Sequence, residues 1–506
     1  GVIINKILIK LYLFFIFKMK TAFIKGKIYK RFKPLEICNS FVLDDEKIVF
    51  TGEREDALKL ADNIIDLNGK TVLPGIIDAH MHLDELGMYL NILDLRNVKS
   101  IFELREKLKE FAKSHKGPIM GHGWDQELFI EKRWPNKADI DDIVNDRPVI
   151  LTRVCLHAAI VNSHFLKLMN FNSMDGIIKE NDFEIFRKKF NSLIPKKLKK
   201  KTILDAVNEL IKNGVTSIGF VSCSKEIFEI LKELDSENNI PIRINVYMNA
   251  EDFEVVKDFK NSDHLKLKGI KLFIDGSLGS RTALLSEKYN DYDTYGEQVF
   301  SENFLKKQIN ISKEGNFQIA IHAIGDRAID IAISLLKDYP GNRIEHCSVV
   351  RDDQLDSLRN LNLVVQPHFL ITDFWVLERI GGKRAKFVYR FRDLYNISNI
   401  AFSTDSPVEP INPFLTIYAS VTRGKFENIP ISKYVGQELS VQDALHCYTK
   451  GSALALKEDY VGEINTGNFG DFIILDNDPL SMDVKELKNL SVNEVFISGK
   501  KIMKSF

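Results

Sequence analysis

The sequence predicts an α/β fold: a (β/α)8 TIM barrel with a small β-sandwich domain formed from both chain ends and a subdomain inserted after the first barrel strand. Eight short apolar, β-prone runs each end in polar residues, and helical stretches separate several of them. One long interval, residues 83–213, follows the first run and predicts the inserted subdomain. The two chain ends share short β-prone runs divided by Gly, Asp-Asp and Asn-Gly turns.

The chain opens with an apolar segment, residues 1–18, which ends just before Met19. Its longest uncharged run, Leu11 to Phe17, has seven residues, whereas a membrane-spanning helix needs about 20. A secretory signal needs a short polar start and a cleavage site of small residues, and the segment offers a convincing version of neither. We interpret residues 1–18 as an upstream or non-native extension, with a membrane anchor as the alternative.

The β-sandwich is predicted to begin with residues 19–73 and to be completed by residues 456–506. The C-terminal texts GNFGDFIILDNDPL and VNEVFISGKKIM repeat the turn-divided pattern of the N-terminal part. Strands can pair without being continuous in sequence, so the two termini can build one small domain.

The barrel is predicted to occupy residues 74–455. Its connections include SKEIFEILKELDSE and RAIDIAISLLKDY, whose Ser or acidic starts suit helix N-termini. Catalytic groups in this fold lie at the C-terminal ends of the strands, so the polar residues that end each run are candidates for chemistry. The eight predicted strands lie in the runs 75–82, 214–222, 242–249, 269–277, 317–326, 342–350, 362–369 and 399–407.

Charge and cysteine content exclude several classes of partner. Seventy basic residues balance seventy acidic ones, so we expect neither nucleic acid nor a membrane surface as a partner. The five cysteines are an odd number without paired spacing, which is typical of reduced thiols in a cytoplasmic protein. We therefore expect a small-molecule substrate, and assembly as a homodimer remains open.

Ionisable residues collect at the ends of the predicted strands. His80 and His82 lie two residues apart in a strand, so both imidazoles point the same way and can bind one cation. A lone strand histidine is more often a core residue than a ligand, but several charges in one cavity are costly unless a metal compensates them. The group comprises His80, His82, Lys271, His322, His346 and Asp405.

Five motifs together resemble the amidohydrolase superfamily, and in particular its formamide-deformylase-like branch. They are GIIDAHMHLDELG, GIKLFIDGSLGSRTALL, IHAIGDRAID, RIEHCSVV and AFSTDSPVEPINPF, and the resemblance runs from about Met19 to the C-terminus. One of these motifs alone is weak evidence, but as an ordered set they are highly specific.

The resemblance implies a two-metal site, usually zinc. In it Lys271 would be the carboxylated lysine that bridges both ions, and one metal would suffice if Lys271 is unmodified. The more buried metal would be held by His80, His82 and Asp405, and the more exposed one by His322 and His346.

The implied reaction is hydrolysis of an amide-type C–N bond other than a peptide bond, in a small N-acyl, N-formyl or cyclic amide. A metal-bound hydroxide would attack, and Asp405 would shuttle the proton to the leaving amine. Alternatives are a deaminase or a dipeptidase on the same barrel; deaminases usually replace the lysine bridge, so Lys271 argues against them. A non-enzymatic regulatory homologue is disfavoured because all six metal positions are filled.

Further residues resemble groups that face the substrate in this branch. For Trp124 a role as a packing anchor in the insertion, from which it can still touch the ligand, is favoured. For His157 and Arg281 a substrate-facing role and a structural role are equally favoured. Glu345 and Cys347 flank His346 and are expected to point away from the metals. The predicted substrate contacts are Trp124, His157, Arg281 and His368.

Overall fold

The computed structural model describes residues 19–154 and 158–503. Our interpretation of residues 1–18 and the predicted contact of His157 lie outside the described residues. Two compact units are present, one of residues 84–206 and the other made of the described residues before and after that segment.

The larger unit contains the predicted barrel. Its eight strands are all parallel, and each pairs with the next one along the chain. The first and last strands meet just beyond their ends, where Asp405 N donates to His80 O and His82 N donates to Ser406 O, each at 2.9 Å. The predicted fold class is therefore confirmed. The strands are Ile76–Met81, Val215–Cys223, Arg243–Asn249, Leu265–Phe273, Gln318–Ala323, Arg343–His346, Asn362–Val365 and Asn399–Phe402.

Helices follow the barrel strands, and several begin at a side-chain cap. Ser224 Oγ accepts from Ile227 N, and Ser301 Oγ accepts from Phe304 N. The α-helices after residue 206 are Lys225–Ser236, Ala250–Phe253, Glu302–Glu314, Asp326–Leu336, Phe369–Thr372, Val376–Ile380, Phe391–Ile397, Pro413–Thr422, Val441–His446 and Ser452–Ala455. Shorter helical turns are Asp352–Gln354, Asp356–Leu358, Gly382–Phe387, Pro430–Lys433, Cys447–Gly451 and Val484–Asn489.

Both ends of the chain contribute to a two-sheet arrangement. Antiparallel pairing of Val72 with Ile474 joins the N- and C-terminal segments in one sheet, and the rings of Phe23, Phe41 and Phe472 pack in the shared core. The domain boundaries drawn from the sequence stay predictions. One sheet has the order Lys47–Gly52, Ser40–Asp44, Thr21–Ile24, Asn63–Asp66; the other has Lys500–Met503, Glu494–Ile497, Phe472–Leu475, Thr71–Pro74, Lys27–Phe32, Leu35–Cys38. The helix Arg54–Leu60 packs against the first of these sheets.

The unit of residues 84–206 has its own sheet and core. Its sheet has the order Ile177–Lys179, Ala158–Val161, Val149–Arg153, Ile119–Trp124, Leu93–Asp94. The helices are Ile101–Ser114, Ala138–Asp141, Ser163–Leu168 and Glu180–Leu193, with the turn Gln126–Leu128 and the bounding helices Leu83–Leu90 and Lys196–Lys212.

Neither a membrane span nor a disulfide is found in the described part of the chain. Its helices are all too short or too polar to cross a bilayer. Four cysteines, Cys38, Cys223, Cys347 and Cys447, are free thiols.

Candidate metal centre

The first and last barrel strands bring three ligand groups to one point. His80 is the penultimate residue of the first strand and His82 directly follows that strand, while Asp405 follows the eighth strand with a left-handed φ of 55°. Asp405 Oδ1 lies 3.1 Å from His80 Nε2 and 3.1 Å from His82 Nε2. The ligand atoms of all three lie within 4.8 Å of one another.

Two of these atoms are buried without a hydrogen bond to any described residue: His80 Nε2 and Asp405 Oδ1. A buried polar atom left unpaired costs about 1–3 kcal/mol, so an arrangement that leaves two facing each other calls for a third group between them. Two imidazole nitrogens and a carboxylate oxygen suit zinc and related divalent ions. These residues therefore fit a divalent metal.

The ionisation of Asp405 suits the same role. Burial opposes the charged form, but the neighbouring imidazoles of His80 and His82 hold the pKa of Asp405 well below its usual range. The group is thus a carboxylate, the form that binds a cation and accepts a proton.

His80 is held from behind by a buried carboxylate. Its Nδ1 lies 2.5 Å from Glu345 Oε2, and Arg343 donates to both oxygens of Glu345 at 2.8 and 2.9 Å. Burial opposes ionisation of Glu345, yet the charge of Arg343 and the bond to His80 hold its pKa well below the usual range. With Nδ1–H donating to Glu345, Nε2 is the ring nitrogen of His80 that faces Asp405 and could bind a metal.

The expectation that Glu345 points away from the site is wrong. Arg343 and Glu345, two residues apart, point to the same side of the strand, and that side is the barrel interior. His346 joins them because its φ of 74° breaks the strand alternation. Cys347 is buried as expected, and burial raises the pKa of its thiol to about 12.

The other two histidines lie beside this group. The ring centroids of His322 and His346 are 4.4 Å apart, and those of His80 and His346 are 5.0 Å apart. Burial lowers the pKa of His322 to about 3 and that of His346 well below its usual value. Both are therefore neutral imidazoles, the form that binds metals.

Each of these two rings has one nitrogen already engaged. His346 Nδ1 lies 2.8 Å from Gln366 Oε1, and Gln366 donates to Ser403 Oγ at 2.9 Å. His322 Nε2 lies 2.9 Å from Gly276 O. The remaining nitrogens, Nε2 of His346 and Nδ1 of His322, are those that could bind a metal.

Lys271 is buried in the fourth strand of the same barrel. Burial lowers its pKa to about 8, which favours the neutral amine relative to an ordinary lysine. The neutral amine is the form that carboxylation requires.

Arg281 and His368, two of the predicted substrate contacts, are each held by a carboxylate. Arg281 Nη2 lies 2.7 Å from Asp291 Oδ2, which also receives Arg379 Nη1 at 2.5 Å. His368 bonds through Nδ1 to the buried Glu409, whose other oxygen accepts from Thr372 Oγ1 at 2.6 Å.

Trp124 belongs to the unit of residues 84–206 and is fully buried there, with its indole N–H donating to Leu151 O at 2.7 Å. In that unit it acts as a packing anchor. The substrate contacts of Trp124, His157, Arg281 and His368 stay predictions.

Sequence reasoning missed the residues that orient the histidines, Glu345 and Gln366, and a third buried residue, Asp275. Asp275 Oδ1 lies 3.4 Å from His322 Nε2 and accepts from Ile324 N at 3.0 Å, while burial raises its pKa to about 7. All three are polar residues in or directly after an apolar β-run, and that is the signal that could have identified them.

Comparison with known proteins places this site in context. The model of a family described as "Amidohydrolase family" matches residues 63–503. An uncharacterized metal-dependent hydrolase from Pyrococcus furiosus is 38% identical, with a TM-score of 0.84 over 91% of this chain and 100% of that one. Its counterpart from Pyrococcus horikoshii OT3 is 38% identical, with a TM-score of 0.85 over 92% of this chain and 99% of that one. An N-substituted formamide deformylase from Arthrobacter pascens is 21% identical over 486 residues, 86% of this chain and 89% of its own.

Proposed function

Because the chain belongs to the amidohydrolase family and is a metal-dependent hydrolase, we propose that it cleaves an amide-type C–N bond, other than a peptide bond, in a small N-acyl, N-formyl or cyclic amide. The observation that carries the proposal is the pair of facing, unpartnered buried atoms, His80 Nε2 and Asp405 Oδ1. The similarity to a formamide deformylase supports the choice of bond.

The proposed cofactor is a pair of zinc ions bridged by carboxylated Lys271, with a single divalent metal as the alternative. A divalent cation supplies Lewis-acid chemistry, which lowers the pKa of a water and polarises a carbonyl oxygen. The residues proposed to hold the metals are His80, His82, Lys271, His322, His346 and Asp405.

Asp405 is the proposed catalytic base and acid. It starts as a carboxylate, held in that form by the neighbouring imidazoles. It accepts the proton of the attacking water and then returns that proton to the leaving amine, so that the amine departs uncharged. The left-handed turn at Asp405 and the bond from its N–H to His80 O keep the carboxylate next to the histidines.

His368 is the proposed substrate contact with the clearest supporting geometry. Glu409 engages its Nδ1, which leaves Nε2 as the ring nitrogen that can bond to a polar atom of the substrate. Arg281 is held by Asp291 and would have to leave that ion pair to bind substrate. Trp124 and His157 complete the proposed set.

The proposal includes the cellular location and the partners of the enzyme. The free thiols of four described cysteines are consistent with a cytoplasmic location. The proposed partner is a small-molecule substrate, with homodimer formation left open.

A substrate screen tests the proposal. The metal-loaded protein is incubated with N-formyl amines, N-acyl amines, N-acyl amino acids, dipeptides and cyclic imides. Released amine is measured for the acyl compounds, and the carboxylate formed by ring opening is measured for the imides. We expect release from the first three classes or ring opening of the imides, abolished by a chelator and restored by zinc. Turnover confined to dipeptides, or none at full metal occupancy, would overturn the proposal.

A further inference from the structure

An aromatic side chain stands directly beside the candidate metal residues. Phe273 is the last residue of the fourth barrel strand, two residues after Lys271, so both side chains point to the same side of that strand. The two residues that point the other way, Ile270 and Leu272, are fully buried. Phe273 therefore occupies the layer next to Lys271 on the side of the barrel mouth.

The contacts of Phe273 tie it to the site. Its ring centroid lies 4.9 Å from Lys271 Nζ and 5.4 Å from the ring centroid of His322. Phe273 and His322 are also register partners in neighbouring strands. Phe273 is partly exposed, whereas Lys271 beneath it is buried. The ring thus lies between the buried Lys271 and solvent, on the outer side of the metal residues.

A second aromatic layer holds the ring in this position. Phe300 packs edge-on against Phe273 at 6.1 Å, and Phe304 packs against Phe300 at 4.8 Å. Support from behind limits the rotamers that Phe273 can adopt, so its exposed surface keeps a defined orientation.

A phenyl ring can neither bind a metal nor hydrogen-bond a polar substrate group. Its exposed surface leaves contact with water most favourably when another apolar group covers it. Small-molecule sites commonly combine a few polar groups with such an apolar wall. Resting on the proposed function, we infer that Phe273 is a specificity-determining residue that contacts an apolar group of the amide substrate, a phenyl or short alkyl group close to the scissile bond.

The test compares two metal-binding probes that differ only in their apolar group, acetohydroxamate and benzohydroxamate. Binding to the zinc-loaded protein is measured by titration calorimetry, which does not depend on turnover. The wild-type protein is expected to bind benzohydroxamate at least about tenfold more tightly, the scale on which apolar pockets discriminate. Phe273→Ala should bind the two probes with equal affinity.

Two further variants keep the result interpretable. Phe273→Leu retains apolar bulk and should retain part of the preference for benzohydroxamate over acetohydroxamate. If the alanine variant fails to fold, the leucine variant provides the test of the inference. Phe426→Ala is the control, because Phe426 is an exposed phenylalanine whose ring lies against Lys485 rather than against the metal residues. It should keep the full preference.

The inference is overturned if the wild type binds both probes equally, or if Phe273→Ala and Phe273→Leu keep the full preference. Amide hydrolysis is assayed in parallel with N-formyl, N-acetyl and N-benzoyl derivatives of one amine. If no amide is cleaved but the probe preference depends on Phe273, the proposed function fails and the apolar contact stands. If amides are cleaved and Phe273→Ala slows all three equally, the inference fails and the proposed function stands.

Discussion

Glu345 Oε2 lies 2.5 Å from His80 Nδ1, in a part of the barrel where both side chains are almost completely shielded from solvent. Arg343 binds the same carboxylate through two of its nitrogens. This link assigns a proton to Nδ1 of His80, and it leaves Nε2 as the ring nitrogen that faces Asp405 and could bind a metal.

Replacing Glu345 by Gln should weaken metal binding. The neutral amide accepts a weaker hydrogen bond from His80 and no longer balances the charge of Arg343, so we expect a loss of about 10–100-fold in metal affinity. Competition with a fluorescent chelator measures it. Glu458→Gln is the control, because Glu458 is also buried and binds two lysines, Lys266 and Lys268, but no metal residue. Equal affinity in Glu345→Gln and wild type would contradict this role.

Replacing Asp405 by Asn should abolish turnover while the protein remains folded. The amide is nearly isosteric but cannot accept and return a proton, and general acid–base groups contribute about 10²–10⁴-fold to rate. Initial rates, circular dichroism and zinc content are measured on the same preparation. Asp478→Asn removes a partly buried carboxylate that binds Lys27 and Tyr29 in the terminal sheets, and it should stay active. An active Asp405→Asn enzyme would remove Asp405 as the proton carrier.

Replacing Lys271 by Ala should remove the bridging group and with it most of the bound metal. Added formate or propionate should restore part of the metal content, because a free carboxylate can occupy the space of the carboxylated side chain. Elemental analysis with and without the added acid provides the measurement, and intact mass of the wild type reports one added CO2. Lys268→Ala is the matched control, since Lys268 lies in the same strand but binds Glu458. Full zinc content in Lys271→Ala would argue against a bridge.

Replacing Asp373 by Asn should stabilise the protein at neutral pH but not at low pH. Burial raises the pKa of Asp373 to about 6, with Tyr389 Oη donating a hydrogen bond to its carboxyl group. The folded chain therefore binds this proton more tightly than the unfolded chain. Its stabilising contribution is fully present below pH 4 and is lost as pH rises through about 6.

The amide of the Asp373→Asn variant does not titrate, so its contribution to stability does not change with pH. The free energy of unfolding of the variant minus that of the wild type should therefore increase by up to about 3 kcal/mol between pH 4 and pH 8. Urea denaturation at the two pH values measures it. Asp356→Asn, at an exposed position, should show no such growth. A pH-independent effect of Asp373→Asn would show that the carboxyl is not protonated preferentially in the folded state.

The barrel could be predicted because its evidence is local in the sequence. Each strand is a short apolar run that ends in polar residues, and parallel strands place those ends at one face of the sheet. His80 and His82 follow from the two-residue period of a strand, and that period holds without knowledge of any other part of the chain. The later ligand candidates follow from the same rule applied to later strands.

The prediction for Glu345 failed at a place where the period itself breaks. His346 adopts a left-handed φ at the end of its strand, so it and Glu345 both face the interior. Such a turn depends on what the strand end meets in space, and strand alternation carries no information about it. The role of Gln366 was not predicted for a related reason: it depends on a contact with His346, which belongs to the neighbouring strand.

The sequence by itself determined the order of strands and the positions of the candidate ligands, because both depend on periodicity and on the ends of short runs. Only the tertiary structure decided which polar atoms support the imidazoles and which are left facing each other. Glu345 and His80 are 265 residues apart in the chain, and closure of the barrel sets the distance between them. The unpartnered pair, His80 Nε2 and Asp405 Oδ1, likewise exists only because the first and eighth strands meet.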